Sequence, residues 1–185
     1  VAAGVERLAP RLWRATDRVG RVYRVRPIAP ADAPALQRAF LAQDRQDRVM
    51  RLLSVIPRLP DRMALKFASV DPARDVCLVF EPEDAPGTLA GGARLMRDAT
   101  GDAAEFAVTV ASPLKGRGLG RMALETVFGI GAEMGIARAW GLISRRNAAM
   151  RALAARLGMR ERPDPDDPSL VIADKDLAPP PAQSG

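Results

Sequence analysis

A strand, a glycine-rich turn and a helix follow one another between residues 103 and 134, and this succession constrains the fold more than any other stretch. In "AAEFAVTV" a period of two puts Glu105, Ala107 and Thr109 on one face and Phe106, Val108 and Val110 on the other. From Gly118 to Met134 the spacing changes: Leu119, Met122, Ala123, Val127, Ile130 and Met134 recur at helical intervals. Between them, "SPLKGRGLGRM" holds three glycines and three cations. Such a loop brings unpaired backbone N–H groups together with the positive end of a helix dipole. Gly116, Gly118 and Gly120 let the backbone bend and approach an anion, and Lys115, Arg117 and Arg121 add charge, so the run fits a phosphate. A tight turn with solvated charges has the same composition.

The other segments suit a mixed α/β chain. "VYRVRPI" reads as a first strand stopped by proline, and Asp32 is placed to cap a helix carrying Leu36, Phe40 and Leu41. Further helical stretches are expected over about 44–53 and over 60–68. "DVCLVFE", "TLAGGARLM" and "AAEFAVTV", separated by Pro, Gly and Asp, read as consecutive antiparallel strands. "GIARAWGLI" returns to strand, Asn147 to Leu157 forms a helix closed by Gly158, and "SLVIAD" is a last strand. Residues 1–20 show no clear period and are expected to form an N-terminal extension, with "TDRVGR" a turn. The folded domain is expected to span 21–177, and the proline-rich 178–185 to be an extended or disordered tail.

Composition removes several chemistries. The absence of histidine excludes the serine triad and most catalytic zinc sites, so proton transfer falls to carboxylates, Tyr23, Cys77, lysines or water; no metal is expected. One cysteine, Cys77, allows no internal disulfide, reads as a small buried residue and points to a reducing, cytoplasmic setting. No apolar run is long enough to cross a bilayer, and the basic start lacks a signal-peptide core, so no membrane partner is expected. A formal charge of +6 favours an anionic partner, but the basic residues are scattered and aromatics few, which argues against nucleic acid.

Three phosphate-loop patterns compete for the glycine run. No Gly-Lys is followed by Ser or Thr, so a P-loop fails. Gly118 to Ala123 satisfies G-x-G-x-x-A, the dinucleotide fingerprint; its late position among antiparallel strands is unfavourable, although Arg145 and Arg146 are available to a 2′-phosphate. The third pattern, [QR]-x-x-G-x-[GA], is matched at both glycine positions by Lys115-Gly116-Arg117-Gly118-Leu119-Gly120 and departs from it at Lys115, where Gln or Arg is usual. That run resembles the acetyl-CoA loop of the GNAT N-acetyltransferases. "YRVRPIAPADAPAL", "AEFAVTV", "KGRGLGRMALETVFGIGAEMGIARAWGLI" and "RRNAAMRALAARLGM" fall in the family's order over about 23–159. In style they are closest to the protein-lysine acetyltransferase domains that act on acyl-CoA synthetases.

The resemblance implies a mixed, mostly antiparallel twisted sheet with helices on both faces and a strand splay holding acetyl-CoA, the cosubstrate. It implies that the amides of about Arg117 to Arg121 grip the pyrophosphate, with Lys115, Gly116 and the rest of the loop around it. Val108 and Val110 offer backbone to the pantetheine arm. Asn147 resembles the family asparagine beside that arm, with a helix N-cap as its other reading. Arg145 and Arg146 are read either as reaching the 3′-phosphoribose or as a solvated pair. Glu105 matches the general base of the protein-lysine enzymes; a carboxylate paired with Arg94 or Arg97 is the alternative. Many members use a tyrosine on the helix after the asparagine to protonate the leaving thiolate, but "NAAMRALAARLGM" has none, so no general acid is named. The expected activity is acetyl transfer to a primary amine, a protein lysine first, with a small-molecule amine or an N-terminal amine as the alternative. A non-catalytic acyl-CoA sensor is the reading from another class, and a homodimer is an allowed assembly.

Overall fold

The alternating runs of the second half lie side by side as adjacent strands. The computed structural model describes residues 3–44, 58–99 and 101–177. Its strands are β1 (Gly4–Ala9), β2 (Leu12–Thr16), β3 (Val22–Pro27), β4 (Val76–Pro82), β5 (Gly91–Arg97), β6 (Ala103–Val110), β7 (Arg138–Ser144), β8 (Arg160–Pro163) and β9 (Leu170–Asp176). They form one sheet in the order β1-β2-β3-β4-β5-β6-β7-β9-β8. Neighbours are antiparallel except β6 and β7, which run parallel. The helices among the described residues are α1 (Ala33–Leu41), α2 (Asp61–Ala68), α3 (Leu119–Glu133) and α4 (Ala148–Arg156). Beyond Asp44, the helical stretch expected over 44–53 lies outside the described residues, as does the proline-rich tail.

The helices divide between the faces. Leu78, Leu95 and Phe106 point to the side where α3 supplies Leu124, Val127 and Phe128 and α4 supplies Ala154, all in one core. On the other side a smaller cluster joins Phe40 of α1, Leu59 and Ala64 of α2. No helix among the described residues is long and apolar enough to cross a membrane.

Three local expectations are corrected. Residues 4–16, read as lacking a period, form the β1–β2 hairpin at the sheet edge; β1 is exposed along its whole length, so no alternation marks it, and only Trp13 and Ala15 of β2 turn inward. Asp32 does not cap the first turn of α1. Its carboxylate turns back, accepting from the Ala29 amide at 2.8 Å and from both ends of the Arg26 guanidinium at 2.8 and 2.9 Å, and Pro34 has no amide to offer it. Cys77 is half-buried rather than buried, because Val76 and Leu78 take the α3 face and leave it on the thinner α1–α2 side.

Candidate active site

The sheet is joined through its middle by very little. β6 and β7 pair only at Ala103–Arg138, Ala104–Ala139 and Glu105–Trp140, and beyond that vertex they diverge. Phe106 fills the start of the gap on the α3 side. Its ring packs edge-on to Phe128 with centroids 5.8 Å apart, and a Cβ on Gly141 of β7 would stand 2.8 Å from it. At the two ends of β6, the Ala103 carbonyl accepts from the Asp98 amide and the Ala111 amide donates to the Ala90 carbonyl, both on the β5 side. Strand alternation therefore turns the backbone groups of Val108 and Val110 the other way, into the splay. Their side chains rest on the core.

β6 leads through a 3-10 turn at Ser112–Leu114 into the glycine loop. Gly116 and Gly118 have φ of 77° and 95°, which an L side chain rarely adopts, and Gly118 is the N-cap of α3 with no side chain to serve as cap. Leu119 is buried and anchors the helix start. The first bond of α3 runs from the Met122 amide to the Gly118 carbonyl at 3.1 Å; the amides from Arg117 to Arg121 have no acceptor among the described residues. At Gly120 a Cβ would stand 3.4 Å from Leu153 of α4 and 3.6 Å from Val110, so α3, α4 and β6 converge here. Lys115 is exposed on the loop, Arg121 pairs with Glu125 at 2.8 Å, and Arg145 and Arg146 are exposed just beyond β7.

A segment distant in sequence braces this loop. The Arg18 amide, in the β2–β3 turn, donates to the Arg117 carbonyl at 3.0 Å, and Arg117 lies 3.7 Å from Asp17. Asp17 is fully buried, accepting from the Val19 and Arg21 amides at 3.0 and 2.9 Å and from the Tyr23 hydroxyl at 2.9 Å. Burial works to raise its pKa, but the Arg21 amide, the Tyr23 hydroxyl, the Val19 amide and the Arg117 charge outweigh it and hold the carboxyl pKa below its ordinary value. The same burial and the Asp17 bond push Tyr23 up to about 12. Tyr23 is thereby committed to a structural bond.

Glu105 stands at the vertex of the splay, exposed, between Met96 of β5 and Trp140 of β7. Neither arginine weighed as its partner pairs with it. Arg94 lies over the Phe67 ring at 5.1 Å, and Arg97 bonds the carbonyls of Arg74, Gly101 and Met134. Further along the Glu105 face, Ala107 and Thr109 border a cavity of about 110 Å3 with Phe40, Phe67 and Cys77. Asn147 caps α4, its Oδ1 accepting from the Met150 amide at 3.1 Å, which leaves its NH2 group without a partner among the described residues. Trp140 and the Asp17–Arg18 turn escaped sequence reasoning. "TDRVG" signalled a turn, but nothing local shows that it touches the loop about 100 residues on.

Among the described strands β6 and β7, joined through α3, are the one parallel pair and the rest of the sheet is antiparallel, so the dinucleotide reading lacks the mostly parallel, doubly wound sheet it needs. Comparison with known proteins agrees. The structure is similar to the GNAT domain of S. lividans PAT, at 25% identity and a TM-score of 0.84 over 93% of this chain and 100% of that one. It also resembles a cAMP-binding acyltransferase from Mycobacterium smegmatis, at 24% identity and a TM-score of 0.62; the match covers 91% of this chain but only 48% of that protein. A third relative in fold is RimL, a ribosomal L7/L12 alpha-N-protein acetyltransferase in complex with coenzyme A, at 13% identity and a TM-score of 0.65, over 84% of this chain and 94% of that one. Residues 23–160 match the acetyltransferase (GNAT) domain family model, and with a splayed sheet whose glycine loop opens a helix at the splay, this chain belongs to the GNAT family of N-acetyltransferases.

Proposed function

We propose that this chain transfers acetyl from acetyl-CoA to a protein lysine, with Glu105 as general base. The observation that carries the reading is the position of Glu105: an exposed carboxylate without an ion-pair partner among the described residues, at the point where β6 and β7 part. The choice of a protein lysine rests on the sequence resemblance and on the likeness to the GNAT domain of PAT over the whole of that domain.

The residues present fit the coenzyme. Acetyl-CoA brings an acyl group already activated as a thioester. The Arg117–Arg121 amides, at the positive end of α3, suit a pyrophosphate, and Val108 and Val110 offer strand-like backbone partners to an extended pantetheine arm. The Asn147 NH2 group is free to donate beside that arm. A lysine amine, with an ordinary pKa of about 10.4, must lose a proton before it attacks, and Glu105 takes it, directly or through a water. The Val108 amide is the simplest donor to charge developing on the carbonyl oxygen. We place the reaction in the cytoplasm, in keeping with the chain's single cysteine.

Turnover of Glu105→Gln, followed by CoA release on lysine peptides, acyl-CoA synthetases and polyamines, tests this reading. The rate should fall by roughly 10²–10⁴ while CoA affinity stays near parental. The deficit should narrow as pH rises, because more amine is then neutral before it binds. Near-parental turnover would remove Glu105 as the base, and acetylation of polyamines but not of proteins would replace the acceptor class.

A further inference from the structure

The cations nearest the α3 N-terminus are not equally available to an anion. Arg117 faces the buried carboxylate of Asp17 at 3.7 Å, and Arg121 is held by Glu125 at 2.8 Å. Arg18, on the other side of the loop, has no carboxylate partner among the described residues. Its Nη1 reaches only the neutral Gly116 carbonyl, at 3.4 Å, and its chain lies along Gly118, with Nε 3.6 Å from where a Cβ would be. A long bond to a neutral carbonyl is readily exchanged for a charge-assisted one. The main chain of Arg18 is fixed: its amide is bonded to the Arg117 carbonyl, and Asp17 holds the next residues of the turn. The guanidinium therefore hangs from a rigid support beside the Arg117–Arg121 amides. It also borders a cleft of about 690 Å3 shared with Gly118 and Arg121, which gives it room to reorient.

We propose that Arg18 is a further phosphate-binding residue of the coenzyme site, presented to the glycine loop by the β2–β3 turn. The proposal rests on the reading that the α3 amides hold the coenzyme's phosphates. It adds a cation from outside the loop, whose planar fork suits phosphate oxygens better than a lone ammonium.

Calorimetric titration with CoA and with 3′-dephospho-CoA tests it, comparing the parent with Arg18→Ala, Arg18→Lys and the control Arg24→Ala, which removes an exposed charge on β3. Arg18→Ala should bind CoA roughly tenfold more weakly, in line with one lost charge-assisted bond, with an unchanged Tm. Arg18→Lys should recover part of the loss, and Arg24→Ala should bind as the parent does. A loss that persists with 3′-dephospho-CoA assigns the contact to the pyrophosphate; one that disappears assigns it to the 3′-phosphate. Parental affinity in Arg18→Ala, or an equal loss in Arg24→Ala, would overturn the assignment and leave the coenzyme site standing. A parent that binds neither ligand would overturn both.

Discussion

Tyr23 and Asp17 make a buried pair whose titration can be read directly, because Tyr23 is the only tyrosine in the chain. The folded tyrosine has its pKa raised to about 12, so the stability due to its neutral form is complete below the ordinary value of about 10 and is lost as pH rises through about 12. Near-ultraviolet absorbance should show no tyrosinate at pH 10 in folded protein, and its appearance should coincide with unfolding. The sign is opposite for Asp17, whose pKa is lowered: its contribution is present above about pH 4 and is lost as pH falls through the folded value. Asp17→Ala would strip the acceptor from two amides and a hydroxyl, costing about 3 kcal/mol, and Asp17→Asn should flatten the decline of Tm in acid. A Tyr23 that titrates near 10 in the folded protein would show that the pair is not closed.

At the scale of elements, the splay depends on how Phe106 meets Gly141. A methyl group on Gly141 would stand 2.8 Å from a ring already wedged against Phe128, so Gly141→Ala should overpack the seam by about 1–3 kcal/mol. Thermal unfolding would register that cost, and weaker CoA binding at a temperature where the variant is folded would show that the gap had changed shape. This is where sequence and structure part company. The β6–loop–α3 succession was legible because each part signals locally: alternation in 105–110, glycines with positive φ, and helical spacing from Leu119. The Glu105–Trp140 neighbourhood was not, since the register of two parallel strands joined through a helix leaves no local mark. Asp32 misled for a related reason. It has the chemistry of a cap, and only the proximity of Arg26 on β3 explains why the carboxylate turns away. For Asn147 the helix-cap alternative holds, and the single oxygen used for it leaves the amide nitrogen for a ligand.

At the scale of the whole molecule, the N-terminal hairpin is part of the sheet: β2 buries Trp13 and Ala15, and the turn after it reaches the glycine loop. Among the described residues nine strands share the sheet, yet three residue pairs join the β1–β6 half to the β7–β9–β8 half. In mechanical terms that line is a partly opened zipper. Val108 and Val110 lie within a strand but face a side with no strand neighbour among the described residues, so their amide protons should exchange with solvent like those of a loop rather than those of a sheet interior. An extended ligand along β6 would close the zipper, serving as a surrogate strand. Deuterium uptake at Val108 and Val110 should then drop on adding CoA by far more than at β4 or β9, and uniform protection across the sheet would argue against it. On the proposed reading, a substrate that finishes the sheet would also couple occupancy to cohesion, and each release of product would loosen the molecule along the line where the next acetyl group must enter.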